Sequence, residues 1–118
     1  MMQTVTAIIN AHGKHPDTLE TGDHLKIEVR GFEPLVIEKV GANLLSVAHY
    51  YTQMGDLMAD PDIVFRIEDD GTWTPIEYTN HGLGVYRHDE SGLNDIHGFI
   101  KTWDRNLEQQ GFLQEVNR

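Results

Sequence analysis

The chain has 118 residues, of which 39% are hydrophobic and 24% charged, and it contains no cysteine. These values are typical of one globular domain over residues 1–118, and they exclude disordered, collagen-like and disulfide-stabilised classes. Nineteen Asp and Glu residues against nine Lys and Arg residues give a formal net charge of −10. Phosphate binding requires clustered cations, so we expect no direct binding of nucleic acid or of anionic lipid.

The first part of the chain predicts a helix followed by a hairpin. Val5, Ile8 and Ile9 recur at helical spacing within residues 4–11, and Gly13 is a natural stop. Apolar and charged residues alternate over the next segment, which predicts a strand, and a second apolar run follows a Gly-Phe-Glu-Pro turn. The two predicted strands of this hairpin are residues 25–30 and 35–40.

The middle of the chain predicts further strands. Residues 44–53 favour a strand because they are rich in β-branched and aromatic residues, with a helix as the alternative. Residues 55–62 are expected to bend at their Gly-Asp and Asp-Pro-Asp steps. The Asp-Gly step at 70–71 predicts a tight hairpin, and Pro75 makes the returning strand an edge or ends its pairing. The remaining predicted strands are residues 63–67, 72–78 and, more weakly, 85–87.

The C-terminal part predicts an amphipathic helix. Its apolar residues follow helical spacing, Ser91 or Asn94 can cap its start, and Gly111 suits its end with Phe112 folding back. The expected stripe is Ile96, Phe99, Ile100, Trp103 and Leu107. The order of elements predicts an α+β fold, with an antiparallel sheet of four to five strands and the N- and C-terminal helices packed on one face. No apolar run reaches membrane-spanning length and the start carries no signal-peptide pattern, so we expect a cytoplasmic location.

Residues that could support catalysis are present but lack the required spacing. Seven histidines show no i, i+4 pair, and we expect His49 to be a hydrogen-bonded core or hairpin histidine rather than a metal ligand. Asp56, Asp60 and Asp62 could bind Mg²⁺ or act as acids and bases, yet neither a calcium-loop pattern nor the later acid-x-Lys of a nuclease site follows them. We therefore expect no catalytic residue, no bound metal and no cofactor, and regard a metal-dependent enzyme as the weaker alternative.

Several segments resemble a known but uncharacterised domain. The run GDLMADPD at residues 55–62 is the most specific of them, supported by the Trp-x-Pro of residues 73–75 and by GVY at residues 84–86. Together they resemble a bacterial domain of unknown function found on plasmids, integrative elements and phages. The resemblance brings no established activity or site residues. It implies a protein of a mobile element that acts inside a bacterial host.

Charge and the implied context lead to a functional hypothesis. Residues 56–77 contain seven acids and one base, Arg66, a net charge of −6. We expect these acids to bind a host protein with a basic surface, as a nucleic-acid mimic in an anti-defence, anti-CRISPR-like inhibitor that is a monomer or small homo-oligomer. The alternative is a regulatory or accessory binding module of the element without an inhibitory role. The predicted partner-binding residues are Asp56, Asp60, Asp62, Glu68, Asp69, Asp70 and Glu77.

Overall fold

The strands follow one another across an antiparallel sheet in chain order, with helices at both ends of the chain. The computed structural model describes residues 1–116, apart from the side chain of Val116. The strands are β1 His24–Ile27, β2 Leu35–Gly41, β3 Leu44–Gln53, β4 Asp56–Ile67, β5 Trp73–Asn80 and β6 Val85–His88. The helices are α1 Gln3–Ala11, α2 His97–Gln109 and α3 Phe112–Val116, with a 3₁₀ turn at Asn94–Ile96 before α2. The α+β class with terminal helices is therefore confirmed.

The predicted number of strands, four to five, is wrong, because residues 1–116 form six. The weakly predicted strand near the end of the sheet is β6, which pairs with β5 through four residues. Residues 44–53 form β3, as favoured from their composition. By contrast, β1 ends at Ile27, three residues before the predicted strand end.

The expected bend at residues 55–62 is found only at its first residue, Gly55, because β4 begins at Asp56 and continues through the Asp-Pro-Asp step. The chain reverses in a two-residue turn at Met54 and Gly55, both of which have positive φ. Register places Asp62 opposite Ala48 and Ala59 opposite Tyr50. Two residues of β4, Asp60 and Pro61, therefore lie opposite His49 alone. This β-bulge accommodates the proline inside a long strand.

Pro75 does not make β5 an edge strand, since β4 and β6 lie on its two sides. Pairing of β5 with β6 starts at Glu77, so Pro75 lies outside that ladder. On the β4 side the register shifts between Val64 and Phe65, and Pro75 is then the register partner of Phe65. Pairing with β4 continues from there to the start of β5. The alternative expectation, that pairing ends at the proline, holds on the β6 side, where the ladder starts two residues after Pro75.

The core lies between the helices and one face of the sheet. Side chains of alternate strand residues, such as Ile37, Val47 and Ile63, are buried there. The buried side chains of α1, α2 and α3 join the same cluster, so the helices of residues 1–116 pack on one face and leave the other without a helix. The helix residues of the core are Val5, Ile8, Ile9, Ile100, Trp103, Leu107 and Phe112, and Met2 at the N-cap of α1 joins them.

The terminal helices match the predicted stripes in most positions. The stripe of α1 is buried as expected, and Gly13 follows it with a φ of 76°. In α2, Phe99 departs from the predicted stripe, because its side chain is 44% exposed and contacts Tyr78 at the rim of the core. Neither Ser91 nor Asn94 caps α2, because the helix follows directly on the 3₁₀ turn and its N-cap position is Ile96, which has no side-chain acceptor. None of the helices in residues 1–116 is long and apolar enough to cross a membrane.

Candidate functional site

The uncovered face of the sheet carries a row of polar side chains. Strand register aligns Glu38, Ser46, Val64, Glu77 and His88 across five neighbouring strands. Cross-strand partners project from the same face, so the two glutamates flank the small side chain of Ser46 and the apolar side chain of Val64. This row places carboxylates on the face that no helix of residues 1–116 covers.

Asp62 lies in the next row of the same face, hydrogen-bonded to two hydroxyl groups. Ser46 Oγ donates to Asp62 Oδ1 at 2.6 Å, and the Tyr50 hydroxyl donates to Asp62 Oδ2 at 3.4 Å. Burial raises the pKa of Asp62, the two hydroxyl donors lower it in part, and the charges of Glu77 and Glu38 raise it further. Burial, followed by the charge of Asp62, raises the pKa of Tyr50 to about 12. The group is an oriented carboxylate that accepts hydrogen bonds or an incoming cation.

The turn between β4 and β5 holds three consecutive acids. The Glu68 N–H donates to the Thr72 carbonyl at 2.8 Å, and the Gly71 N–H donates back to the Glu68 carbonyl at 2.9 Å. Asp70 Oδ1 accepts the Thr72 N–H at 2.9 Å, and these hydrogen bonds lower the pKa of Asp70. Asp69 and Asp70 are exposed. The turn therefore presents two exposed carboxyl groups, those of Asp69 and Asp70, on a hydrogen-bonded backbone.

Arg66 and His88 connect this turn to the uncovered face. Arg66 Nε donates to Glu68 Oε1, and Arg66 Nη1 donates to the Glu90 carbonyl at 2.7 Å. His88 Nε2 lies 2.9 Å from Glu90 Oε1, and His88 Nδ1 lies 3.8 Å from Glu77 Oε2. The contacts run from Glu68 to Glu77 without interruption. We call the resulting patch the acidic surface; it consists of Asp62, Glu68, Asp69, Asp70, Glu77 and Glu90.

Five of the seven predicted partner-binding residues belong to the acidic surface, and two do not. Asp60 accepts a hydrogen bond from Asn80 Nδ2 at 2.9 Å. Asp62 is instead the register partner of Thr79. Because Thr79 and Asn80 are neighbours in β5, their side chains project from opposite faces of the sheet. Asp56 starts β4, whereas the acidic turn follows its end. The 12 residues of β4 separate the two by about 35 Å at strand spacing. The acids that are close in sequence are thus divided between two ends of the sheet.

The sequence did not predict Glu90 as a member of this surface, because it lies outside the acidic segment of residues 56–77. A local charge count over Asp89-Glu90 would have detected the acidic pair, but not its position. Arg66 contacts Glu90 across 24 residues of chain, and no local pattern indicates such a contact. Glu90 therefore completes the set of contacts between the acidic turn and the uncovered face of the sheet.

His49 occupies the core side rather than the acidic surface. Its Nδ1 donates to the carbonyl of Glu33 at 3.0 Å, with the Pro34 carbonyl 3.3 Å away. Its ring packs against Trp103 and Phe112 with centroids 5.6 and 5.5 Å apart. The expectation of a hydrogen-bonded structural histidine is confirmed. Within residues 1–116 no group of three His, Asp or Glu side chains is arranged to hold a metal ion.

Comparison with known proteins gives a family match. A family model described as "Domain of unknown function (DUF6908)" matches residues 3–113. No curated protein and no solved structure matches the chain. The match confirms the expectation of an uncharacterised domain, while the association with mobile elements stays a prediction.

Proposed function

Because the chain belongs to the DUF6908 family, whose description assigns no activity, we propose its function from the acidic surface: a non-enzymatic module that binds a basic protein surface. The observation that carries this proposal is the set of contacts from Glu68 through Arg66, Glu90 and His88 to Glu77. They join the acids of the turn to those of the uncovered sheet face. Arg66 is the one Lys or Arg among them, and it is already paired on both sides.

A surface of this kind can take the place of nucleic acid. Carboxylates spaced along a strand and a turn present negative charge to a channel lined by Lys and Arg, where phosphates would otherwise bind. Asp69 and Asp70 stand on a turn closed by two backbone hydrogen bonds. Such a turn has little conformational freedom to lose on binding, which favours association.

The more specific proposal is an anti-defence role. We infer a cytoplasmic protein of a plasmid or phage that blocks the nucleic-acid channel of a host defence complex, in the manner of an anti-CRISPR protein. Its support is the net charge of −10, the acidic surface and the resemblance to domains of mobile elements. Defence complexes bind nucleic acid through clustered cations, so an acidic protein is complementary to them.

The experiment compares three forms of the immobilised protein in a bacterial host lysate, with bound proteins identified by mass spectrometry. One form is the wild type, the second is Asp69→Lys/Asp70→Lys, and the third is Glu28→Lys/Asp56→Lys. Glu28 and Asp56 are exposed and lie at the other end of the sheet, so the control has the same net charge as the test variant. We expect the wild type and the control to retain the same nucleic-acid-binding protein and the test variant to lose it.

Two measurements on the captured protein complete the test. Excess duplex DNA should displace the captured protein from the immobilised wild type, because DNA and the acidic surface would occupy the same channel of the captured protein. Association should slow markedly as salt rises to physiological strength, since exposed charges are screened beyond about 8–10 Å. Equal binding by all three forms, with no effect of salt, would exclude the acidic surface as the docking site.

The same data separate the alternatives. An accessory module without an inhibitory role would bind its partner without competition from DNA. Exposed apolar side chains such as Leu83 and Tyr86, 72% and 63% accessible, are then the natural contacts, and salt dependence would be weak. A metal-dependent enzyme would cleave plasmid or single-stranded substrates with Mg²⁺ or Mn²⁺ and lose that activity in Asp60→Asn/Asp62→Asn.

A further inference from the structure

On the helix side of the molecule, away from the acidic surface, a groove of about 560 Å³ runs between α1 and α2. We propose that it binds a small amphipathic anion: a carboxylate with an aromatic or alkyl body. This inference is independent of the proposed docking function. The volume of the groove falls in the range of roughly 300–1,000 Å³ found for small-molecule sites. We therefore assign a small ligand to it rather than a protein segment.

The floor of the groove is apolar. Phe65 and Trp73, from β4 and β5, have ring centroids 5.4 Å apart, and Ile100 of α2 lies beside them. These side chains are 1%, 5% and 9% exposed. The little surface that they leave accessible at the bottom of the groove is aromatic and aliphatic, and the body of a ligand can displace water from it.

The walls are held together by Asp104. Its carboxylate accepts the Thr4 N–H at 3.1 Å from each oxygen and the Val5 N–H at 3.4 Å. These donors belong to the first turn of α1, where unpaired N–H groups and the helix dipole favour an anion. The charge of Asp104 is therefore engaged within the protein. The two helices are also fixed relative to each other at this point, so the groove is preformed.

The rim of the groove carries two cations of α2. Lys101 and Arg105 lie one helical turn apart on α2 and both line the groove. Neither forms an ion pair within residues 1–116, and Glu108, which also lines the groove, is not within pairing distance of them. By contrast, Arg66 and Arg87 of the sheet each pair with acids. In a chain of net charge −10, two cations that pair with no acid of residues 1–116 and lie above an apolar floor favour an anionic head group.

The probe is 2-naphthoate, with neutral 2-naphthylmethanol as its matched control. Both are titrated into the ¹⁵N-labelled full chain and followed by amide and indole N–H chemical shifts. We expect saturable naphthoate shifts at the Trp73 indole, in the first turn of α1 and over residues 97–105. Naphthylmethanol should bind at least about fivefold more weakly, because it lacks the charge-assisted contacts. The negative charge of the protein opposes naphthoate at every other site, so this preference is a stringent criterion.

Three variants locate the two parts of the site. Lys101→Gln/Arg105→Gln should weaken naphthoate binding about tenfold, the equivalent of about 1.4 kcal/mol, and leave naphthylmethanol unchanged. Ala7→Leu should fill the groove from α1 and weaken both ligands. Lys14→Gln removes an exposed cation outside the groove and should alter neither. Thermal unfolding of each variant confirms that the fold is retained.

Each contrary result overturns a stated part of the proposal. Shifts that do not saturate, or that map elsewhere than the α1–α2 groove, exclude the site. Equal affinity for naphthoate and naphthylmethanol excludes an anionic ligand. An unchanged naphthoate affinity in the folded Lys101→Gln/Arg105→Gln variant excludes these two side chains as the recognising cations.

Discussion

The imidazole of His49 packs against the indole of Trp103, with ring centroids 5.6 Å apart at an interplanar angle of 55°. This contact joins the centre of β3 to the middle of α2. His49 also lies opposite the bulge of β4, and its Nδ1 donates to the backbone that enters β2. One side chain thus links the C-terminal helices to three strands, and two predictions follow from it.

Trp103→Ala should lower the free energy of unfolding by roughly 3–5 kcal/mol, because truncating a buried aromatic side chain removes apolar contacts and leaves a cavity. Trp103 is 7% exposed and belongs to the core cluster. Phe99→Ala is the matched control, since Phe99 is on the same helix but 44% exposed, and its loss should be clearly smaller. Urea titration measures both. A loss below about 1 kcal/mol for Trp103→Ala would contradict the packing of α2 on the sheet.

Stability should fall with pH as His49 titrates. Burial lowers the pKa of His49 below 6.5, although the carbonyls of Pro34 and Glu33 partly raise it. Below pH 6.5 the unfolded chain binds a proton that the folded protein excludes, so the free energy of unfolding decreases until the lower folded pKa is reached. Above pH 6.5 the contribution is complete.

The measurement for His49 is a series of urea titrations between pH 8 and pH 5 on the wild type and His49→Gln. The other six histidines are present in both proteins, so the difference between the two curves isolates this residue. We expect the wild type to lose stability more steeply as pH falls below 6.5. Parallel curves would show that burial of the imidazole does not control this dependence.

Met54→Asn should raise the free energy of unfolding by about 0.5–1 kcal/mol, because asparagine tolerates the left-handed backbone region better than methionine. Met54 has a φ of 52° and is 97% exposed, so its side chain contributes no packing within residues 1–116. Met54→Val is the opposing variant and should destabilise, since a β-branched residue is strained at positive φ. Equal stability of the two variants in urea would argue against this turn geometry.

Arg66→Gln should loosen the loop that brings Glu90 into the acidic surface. The guanidinium donates to Glu68 and to the Glu90 carbonyl, and glutamine cannot make both contacts. We expect a loss of about 1 kcal/mol in unfolding free energy. Amide hydrogen exchange should become faster at Asp89 and Leu93, whose N–H groups donate to the carbonyls of β5.

Arg87→Gln is the control for Arg66, because Arg87 forms a two-point ion pair with exposed Asp95. Water screens this pair, so its removal should change stability and the exchange of the Asp89 and Leu93 amides much less. If the two variants behave alike, Arg66 does not organise the loop, and the link between the acidic turn and the uncovered face would be incidental.

Local patterns in the sequence determined the α+β class and the two main helices. Val5, Ile8 and Ile9 in α1, and Ile100, Trp103 and Leu107 in α2, show a helical period that needs no partner to be recognised. Composition likewise favoured β3 as a strand. These features depend on residues within three or four positions of one another, so the chain alone contains the information.

Tertiary structure decided the site. At the bulge, two residues of β4, Asp60 and Pro61, lie opposite one residue of β3. The side chains of Asp60 and Asp62 therefore do not share a face of the sheet, although they are two positions apart. Glu90 joins Glu68 and Glu77 only because Arg66 and His88 bring three segments together. Strand register and side-chain contacts over long chain separations result from packing of the whole domain, and a local charge count contains neither.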